Sequence, residues 1–301
     1  MLVQIFLSTY NGEKYLREQL DSFVKQTIFG DVGVLIRDDG SKDGTVAILR
    51  EYEEKYGFEV IAGENLGAIK SYFALFDKRD KEAKYFAFSD QDDCWLPDKL
   101  EQAASALEEY ADVPAALGAC SAITDENLNK IGMFEPVTKG IGFYNAVLQN
   151  IIPGHSQVVN VKLMDILAES FSPDIAFLDW WVYLIASAVG KVVYKSEPNV
   201  LHRQHGDNQW GYKPKKFQRL VGRVRKFLKM NINSTTKQLA AFEQLNLKLP
   251  NDYKAEMQRF LLSQKTFFKR LKYALTSKCF RQSGLETLAF RFFYAVGKYR
   301  A

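Results

Sequence analysis

Short apolar runs alternate with segments of helical periodicity through the first half of the chain. The apolar runs predict four strands, at residues 3–7, 32–37, 58–61 and 85–88. Apolar positions spaced three or four residues apart predict the intervening helices, at 14–25, from 45 onward, and from 68 through 76. Strands that alternate with helices of this length favour a parallel sheet with right-handed crossovers. We therefore expect an α/β fold.

The pattern changes after residue 112. The runs at 115–123 and 158–160 predict two more strands, and 189–194 predicts an edge or return strand. From residue 213 onward the apolar positions repeat at helical spacing. Three helices are predicted there, at 217–229, 253–275 and 285–299.

Charge divides the chain at about the same place. Residues 1–212 contain 19 Lys/Arg and 32 Asp/Glu, whereas residues 213–301 contain 21 Lys/Arg and 4 Asp/Glu. We predict an α/β domain over 1–212 and a basic, α-helical C-terminal extension over 213–301. Apolar and basic residues share the same predicted helices, which favours docking on an anionic membrane surface. A solvated helix face and a homo-oligomer interface are the alternatives, and nucleic acid is not expected, because no base-reading module is present.

Cysteine usage and the N-terminus bear on the compartment. Three scattered cysteines without a CxxC pair fit a reducing environment and disfavour a disulfide framework or a zinc site. The first apolar run is too short for a signal peptide and lacks a basic leader, and no apolar run reaches spanning length. We expect a cytoplasmic protein, peripheral at the inner face of the plasma membrane.

The fourth predicted strand ends abruptly in acids. Asp90, Asp92 and Asp93 follow the run Phe86-Ala87-Phe88-Ser89. Three carboxylates within four residues repel one another unless a cation or a hydrogen-bonding ligand compensates their charge. At the carboxyl end of a parallel strand they lie where open α/β sheets bind ligands. This arrangement suits a divalent cation held against a diphosphate.

Polar clusters follow two other strands as well. Residues 8–12 read Ser-Thr-Tyr-Asn-Gly and residues 38–41 read Asp-Asp-Gly-Ser. Each cluster alone is typical of a turn. Three clusters at the ends of neighbouring parallel strands instead predict one shared crevice.

These motifs resemble family 2 glycosyltransferases. The resemblance lies in five segments in the family's order, at 8–12, 26–27, 38–45, 65–67 and 89–93. A narrower likeness to bacterial rhamnosyltransferases of cell-wall and capsular polysaccharide assembly lies in Ser89–Trp95, Asp179-Trp180-Trp181 and Arg203–Asn208. The family resemblance implies a GT-A fold and an inverting, metal-dependent transfer of sugar from a nucleotide donor.

The resemblance implies roles for residues of the strand-end clusters. Asp39 matches the acid that hydrogen-bonds the pyrimidine base, and Ser8 and Tyr10 match the loop that contacts base and ribose. Asp92 matches the metal ligand of the family's Asp-x-Asp pair, with Asp90 near the ribose.

Two residues, Lys70 and His205, are assigned from weaker matches. Many relatives place an Arg after the Asn-x-Gly turn, where this chain has Ser71-Tyr72-Phe73. We therefore assign the role of that positively charged side chain to Lys70. A late histidine in some GT-A enzymes contacts metal or diphosphate, and His205 occupies a comparable position. The other histidines, His155 and His202, have a structural role as their default.

Asp179 is the predicted general base. It lies in an apolar segment that would desolvate its carboxylate, and the resemblance places the family's base here. The alternative is a structural role for Asp179 as the N-cap of the following helix, which is compatible with its role as a base. Trp180 and His155 are candidate acceptor-binding residues, each with a structural alternative.

The sequence therefore predicts a metal-dependent inverting glycosyltransferase that uses Mg²⁺ or Mn²⁺. The expected donor is a nucleotide-sugar, plausibly dTDP-L-rhamnose, and the acceptor a surface-polysaccharide or lipid-linked saccharide. The Gln-x-x-Arg-Trp signature of processive synthases is absent, which favours the addition of one or a few sugars. A nucleotidyltransferase acting on sugar phosphates is the enzymatic alternative, and an inactive scaffold relative is the non-enzymatic one.

Overall fold

A computed structural model describes residues 1–206 and 233–299. The described residues form two compact units. The first contains Met1–Pro136 and Ile152–Phe171 together with the residues from 191 to 206, and the second contains Val137–Ile151 and Ser172–Gly190 together with 233–299. The predicted boundary between 212 and 213 and the helix predicted at 217–229 lie outside the described residues.

The first unit is built on one mixed sheet. Its nine described strands are β1 (Val3–Thr9), β2 (Val32–Asp38), β3 (Glu59–Ala62), β4 (Tyr85–Ser89), β5 (Cys94–Trp95), β6 (Ala115–Thr124), β7 (Lys130–Met133), β8 (Val158–Asn160) and β9 (Lys191–Arg203). They are arranged in the order β3-β2-β1-β4-β8-β6-β9-β5, with β7 paired to β6. The pairs among β3, β2, β1 and β4 are parallel, as are β6 and β9. The carboxyl ends of the first four strands therefore lie along one edge of the sheet.

Helices cover this sheet because their apolar stripes need a partner surface. In the first unit they are α1 (Leu16–Val24), α2 (Thr45–Tyr56), α3 (Ala68–Asp77), α4 (Lys99–Glu108) and α6 (Val161–Ala168). Leu16, Leu20 and Phe23 of α1 are fully buried in the same cluster as Ile5 and Leu7 of β1. Each such side chain contributes about 1.5 to 3 kcal/mol when it is removed from water.

The second unit is helical. Its described helices are α5 (Phe143–Ala146), α7 (Leu178–Val189), α8 (Asn233–Gln244), α9 (Asn251–Leu262), α10 (Phe267–Thr276) and α11 (Gly284–Ala295). Trp181 of α7 packs edge-on against Phe242 of α8, with ring centroids 6.1 Å apart. The predicted α/β class with C-terminal helices is confirmed. Within the two described ranges, no helix combines the length and apolar character needed to cross a membrane.

Two predicted elements differ from the structure. The helix expected at 253–275 is interrupted between α9 and α10, because Thr266 is extended and its side chain caps α10 by accepting from the Lys269 N–H. The strand predicted at 189–194 is longer, because β9 runs from Lys191 to Arg203; residues 191–195 pair with β6, and β5 joins β9 further along, at Val200 and Leu201. A register shift opposite Pro198 interrupts its apolar pattern, which hides the continuation to Arg203 in the sequence.

Candidate active site

The loops after β1 and β2 are joined by hydrogen bonds. The Asn11 N–H donates to Ser41 Oγ (2.8 Å), and the Lys42 N–H donates back to Asn11 Oδ1 (2.9 Å). The Gly12 N–H donates to Thr45 Oγ1 (2.8 Å). Two of the three predicted strand-end clusters therefore lie side by side.

Gln91 joins the third cluster to the first. Its Oε1 accepts from Thr9 Oγ1 (2.6 Å) and from the Tyr10 N–H (2.9 Å), while its Nε2 donates to the Tyr10 carbonyl (3.2 Å). The sequence pattern alone gives Gln91 no role. Its position between Asp90 and Asp92 is the one signal that marks it.

Asp39 is buried and its carboxylate is held from three sides. Oδ1 accepts from the Leu66 N–H and Oδ2 from the Gly67 N–H, both at 2.8 Å. The buried guanidinium of Arg37 forms an ion pair with it and donates to the Glu64 carbonyl (2.8 Å). Arg37 was missed by the sequence analysis, although an arginine inside a buried strand signals a buried acidic partner.

The other predicted donor-binding residues surround this pair at different exposures. Ser8 Oγ donates to Ser71 Oγ (2.7 Å), and Ser71 Oγ also accepts from Arg37 (3.2 Å). Tyr10 is 45% exposed. Lys70 is exposed in the first turn of α3. Ser8 is thus linked to Arg37 through the Ser71 hydroxyl, whereas Tyr10 and Lys70 face solvent.

Asp92 and His205 come together although they are 113 residues apart. Asp92 Oδ2 lies 2.8 Å from His205 Nε2. Burial, with the neighbouring Asp93 and Asp90 carboxylates, raises the pKa of Asp92 to about 6. The buried Arg203 donates through Nε to the Asp92 carbonyl (2.9 Å), which fixes the backbone of this loop against β9.

Asp93 is fully buried and binds the end of β9. Its Oδ1 lies 2.9 Å from His202 Nδ1 and accepts from the Arg203 N–H (3.1 Å). Burial alone lowers the pKa of His202, but the carboxylates around it, Asp93 first, raise it to about 9. His202 and Asp93 therefore form an ion pair at neutral pH.

His155, predicted on the acceptor side, is buried beside the acids. Its Nδ1 lies 3.4 Å from Asp90 Oδ2 and 3.6 Å from Asp93 Oδ2, and its Nε2 lies 2.8 Å from Ser121 Oγ. Burial lowers its pKa to about 3. One ligand atom each from Asp93, His155 and His202 lies within 4.8 Å of the others, so residue types that can bind a metal converge here.

Asp179 and Trp180 belong to the second unit. Asp179 lies in the first turn of α7, partly exposed, and its Oδ1 accepts from the Trp180 N–H (2.8 Å). The helix begins after Phe177, so Asp179 is not its N-cap residue. Trp180 is buried and donates through Nε1 to the Ala146 carbonyl (2.6 Å).

Comparison with known proteins shows which family the first half of the chain matches. Residues 4–151 match the model of Glycosyl transferase family 2. The chain is 29% identical over 217 residues to the dTDP-rhamnosyl transferase RfbG of Shigella flexneri, covering 68% of this chain and 73% of the relative. It is 24% identical to the uncharacterised protein Rv1520 of Mycobacterium tuberculosis, of which it spans 58%.

Solved structures share the fold at lower identity. Staphylococcus aureus TarS residues 1–349 in complex with UDP aligns with a TM-score of 0.61 and 16% identity, over 100% of this chain and 89% of that one. The Pyrobaculum calidifontis mannosyltransferase PcManGT in complex with GDP-Man and Mn²⁺ aligns with a TM-score of 0.55 and 16% identity, over 98% and 85%. The expected GT-A arrangement is thereby confirmed. Residues 4–151 thus match family 2 of the glycosyltransferases.

Proposed function

We propose that this glycosyltransferase moves a sugar from a nucleotide donor to a saccharide acceptor with inversion, assisted by a divalent cation. One observation carries the proposal: the loops after β1, β2 and β4 are hydrogen-bonded to one another, and Asp92 in the last of them pairs with His205. A family 2 domain that positions acids at this sheet edge has the groups needed to bind a sugar diphosphate.

The donor would lie along the loops after β1 and β2. Asp39 would read the pyrimidine base, with Arg37 and Ser8 beside it and Tyr10 exposed for the ribose. Lys70 would meet the negative charge of the diphosphate from α3. The complexes of TarS with UDP and of PcManGT with GDP-Man support a nucleotide-sugar as the donor class.

Asp92 Oδ2 and His205 Nε2 fit a divalent cation. They are two ligand atoms of the right type and they already converge, while the half-exposed carboxylate of Asp90 lies on the same loop. Mn²⁺ and Mg²⁺ are the expected ions, since carboxylate oxygens dominate this loop. Such an ion stabilises the charge that develops on the departing diphosphate.

Asp179 is the proposed general base, on its match to the family's base in sequence. The acceptor hydroxyl oxygen attacks the anomeric carbon, its proton passes to the Asp179 carboxylate, and the bond from the anomeric carbon to the phosphate oxygen breaks. The electron pair of that bond leaves with the nucleoside diphosphate. Trp180 and His155 are both buried, so we include neither in the acceptor site.

L-Rhamnose is the proposed sugar, because the Shigella relative is named a dTDP-rhamnosyl transferase.

We propose a surface-polysaccharide or lipid-linked saccharide as the acceptor. A lipid-linked acceptor requires the enzyme to bind at a membrane surface. The second unit has exposed side chains suited to such binding. Large apolar side chains of α10 and α11 are exposed, namely Phe267, Phe268, Leu275, Leu285, Leu288 and Phe292. Two exposed lysines, Lys269 and Lys272, lie on α10 and a third, Lys265, precedes it, which suits an anionic surface.

The reaction can be tested with a panel of nucleotide-sugars. Purified protein is mixed with dTDP-L-rhamnose, UDP-GlcNAc or GDP-mannose, with and without Mn²⁺, and the melting temperature and the release of nucleoside diphosphate are measured. We expect stabilisation and slow donor hydrolysis with dTDP-L-rhamnose only when metal is present. Failure of every donor to bind, with either Mn²⁺ or Mg²⁺, would refute the proposal.

The base can be tested separately. Asp179→Asn should keep metal-dependent donor binding and lose transfer by about 10²-fold to 10⁴-fold, the usual contribution of general base catalysis. Asp174→Asn, an exposed acid of the same unit, serves as the matched control. Normal transfer by Asp179→Asn would remove Asp179 from the mechanism.

A further inference from the structure

Asp93 has a carboxylate oxygen that the hydrogen-bond network does not use. The side chain is fully buried, and Oδ1 is bound to His202 and the Arg203 N–H. Among the described residues, no donor lies within hydrogen-bond distance of Oδ2. A buried carboxylate oxygen without a partner is costly, so this atom points to an unobserved ligand.

Two more ligand atoms face that oxygen. His155 Nδ1 lies 3.6 Å from Asp93 Oδ2 and 3.4 Å from Asp90 Oδ2. Charged hydrogen bonds are shorter, about 2.7 to 2.9 Å. In a tetrahedral shell with metal–ligand bonds of about 2.1 Å, neighbouring ligand atoms lie about 3.4 Å apart. The two separations therefore match the edges of a coordination shell better than they match hydrogen bonds.

The surroundings of these atoms resemble those of a metal ligand set. His155 Nε2 lies 2.8 Å from Ser121 Oγ, and a metal-binding histidine usually has such a partner on its second nitrogen. His202 holds Asp93 in the same way through Oδ1. Asp90 is 52% exposed, so an ion has a route to the site and room for a water ligand.

His202 itself is a poor ligand for this ion. Its ring stacks on that of His155, with centroids 4.5 Å apart and planes only 14° from parallel. The lone pair of each nitrogen lies in its ring plane, so two nearly parallel rings direct their Nδ1 atoms side by side and not to a common point. His202 therefore supports Asp93 and does not complete the shell.

We propose that His155 Nδ1, Asp90 Oδ2 and Asp93 Oδ2 form a second divalent-cation site, distinct from the Asp92–His205 pair and suited to Zn²⁺. One nitrogen and two carboxylate oxygens with an open fourth position are typical of zinc ligation. The bound ion fastens the end of β4 to the 154–156 turn, and so steadies the loop that carries Asp92. The second site shares Asp90 with the proposed donor site, but zinc binding without nucleotide does not depend on the sugar-transfer reaction.

The test counts zinc ions without any nucleotide present. Metal-free protein is titrated with ZnCl₂ by calorimetry, and the retained zinc is measured by mass spectrometry after gel filtration. We expect the Asp92→Asn/His205→Ala chain to retain one equivalent with a raised melting temperature. Adding His155→Ala to that chain should remove the last equivalent, whereas adding Asp112→Asn, an exposed acid, should not.

Two results would overturn the second site. One is the absence of retained zinc in the Asp92→Asn/His205→Ala chain. The other is full retention after His155→Ala is added. If the His155→Ala chain does not fold, Co²⁺ is bound to the Asp92→Asn/His205→Ala chain instead and its visible absorption spectrum is measured. Four-coordinate Co²⁺ gives intense visible bands, whereas octahedral Co²⁺ gives weak ones. Weak bands would also refute the assignment.

Discussion

At the scale of single residues, the first unit contains two kinds of ion pair that differ in burial. Arg37 and Asp39 are both buried, whereas Arg17 and Glu51 are about half exposed. Coulomb attraction in water is weak, so an exposed pair stabilises little. A buried pair is different, because removal of one partner leaves an uncompensated charge in the interior.

Asp39→Ala should therefore lower the free energy of unfolding by about 3 to 5 kcal/mol, since it strands the buried Arg37 guanidinium. Urea denaturation measures this loss. Glu51→Ala is the matched control and should cost less than about 1 kcal/mol, because Arg17 remains hydrated. Arg37→Met added to Asp39→Ala should recover part of the loss. Equal losses in the two single variants would contradict the account.

The pKa of Asp92 makes a prediction about pH. Burial and the neighbouring carboxylates raise that pKa to about 6, so below pH 6 a proton occupies the proposed metal ligand. Protons then compete with the cation, and the Mn²⁺ affinity should fall by up to about tenfold per pH unit below 6 and level off above 7. Calorimetric titrations from pH 5 to 8 measure this. Asp92→Asn should show a shallower dependence, and identical profiles would refute the role of Asp92.

At the scale of elements, Gln91 determines how the loops after β1 and β4 meet. It contributes three hydrogen bonds between them, and its Oε1 lies so close to Gly12 that a Cβ there would come within 2.7 Å. The two loops are therefore packed as one surface. Side chains on either loop depend on this contact for their position.

Gln91→Leu should release the loop after β1 without unfolding the sheet. The Tyr10 amide loses its acceptor, so its hydrogen exchange should accelerate by about tenfold, the effect of about 1.4 kcal/mol, while amides inside β1 keep their protection. Gln102→Leu on α4 is the control, since Gln102 bonds Asp98 and Lys195 away from the strand ends. An unchanged Tyr10 exchange rate would show that Gln91 does not hold the loop.

The strands and helices of the first unit could largely be predicted from the sequence, but the pairing of distant strands could not. Four apolar runs gave β1 to β4 within two residues at each end, because parallel buried strands are continuously apolar. β9 was predicted too short because Ser196, Glu197 and Pro198 interrupt its pattern. Its continuation delivers His202 and Arg203 to the acids. Such pairing over more than 100 residues depends on sheet order, which periodicity does not encode.

The same limit applies within the site. Strand-end acids and family resemblance pointed to Asp92 and His205, and the structure brings these two together. The burial of His155 beside Asp90 and Asp93 could not be predicted, since a single histidine in a turn has no periodic signal. Site residues whose positions depend on packing between distant segments cannot be predicted from the sequence pattern.

At the scale of the whole molecule, positive charge and exposed apolar side chains are concentrated in the C-terminal part of the sequence. The sequence from 213 onward is strongly basic, and the described helices α10 and α11 expose phenylalanine and leucine side chains to solvent. Phe268 is 80% exposed and Phe292 61%. Exposed apolar residues in such number mark an interaction surface. Lysines beside them favour an anionic membrane over a second copy of the same basic chain.

Phe268→Ser/Phe292→Ser should therefore weaken binding to anionic vesicles. Each phenylalanine that is fully buried in the interface contributes about 1.5 to 3 kcal/mol, so loss of both should reduce the partition coefficient by about 10²-fold to 10⁴-fold. Co-sedimentation with phosphatidylglycerol-containing vesicles measures this, and pure phosphatidylcholine vesicles should bind the unaltered protein weakly. Tyr10→Ser, an exposed aromatic of the first unit, is the control. If the double variant instead converts a dimer to a monomer and leaves vesicle binding unchanged, the surface joins two copies of the chain.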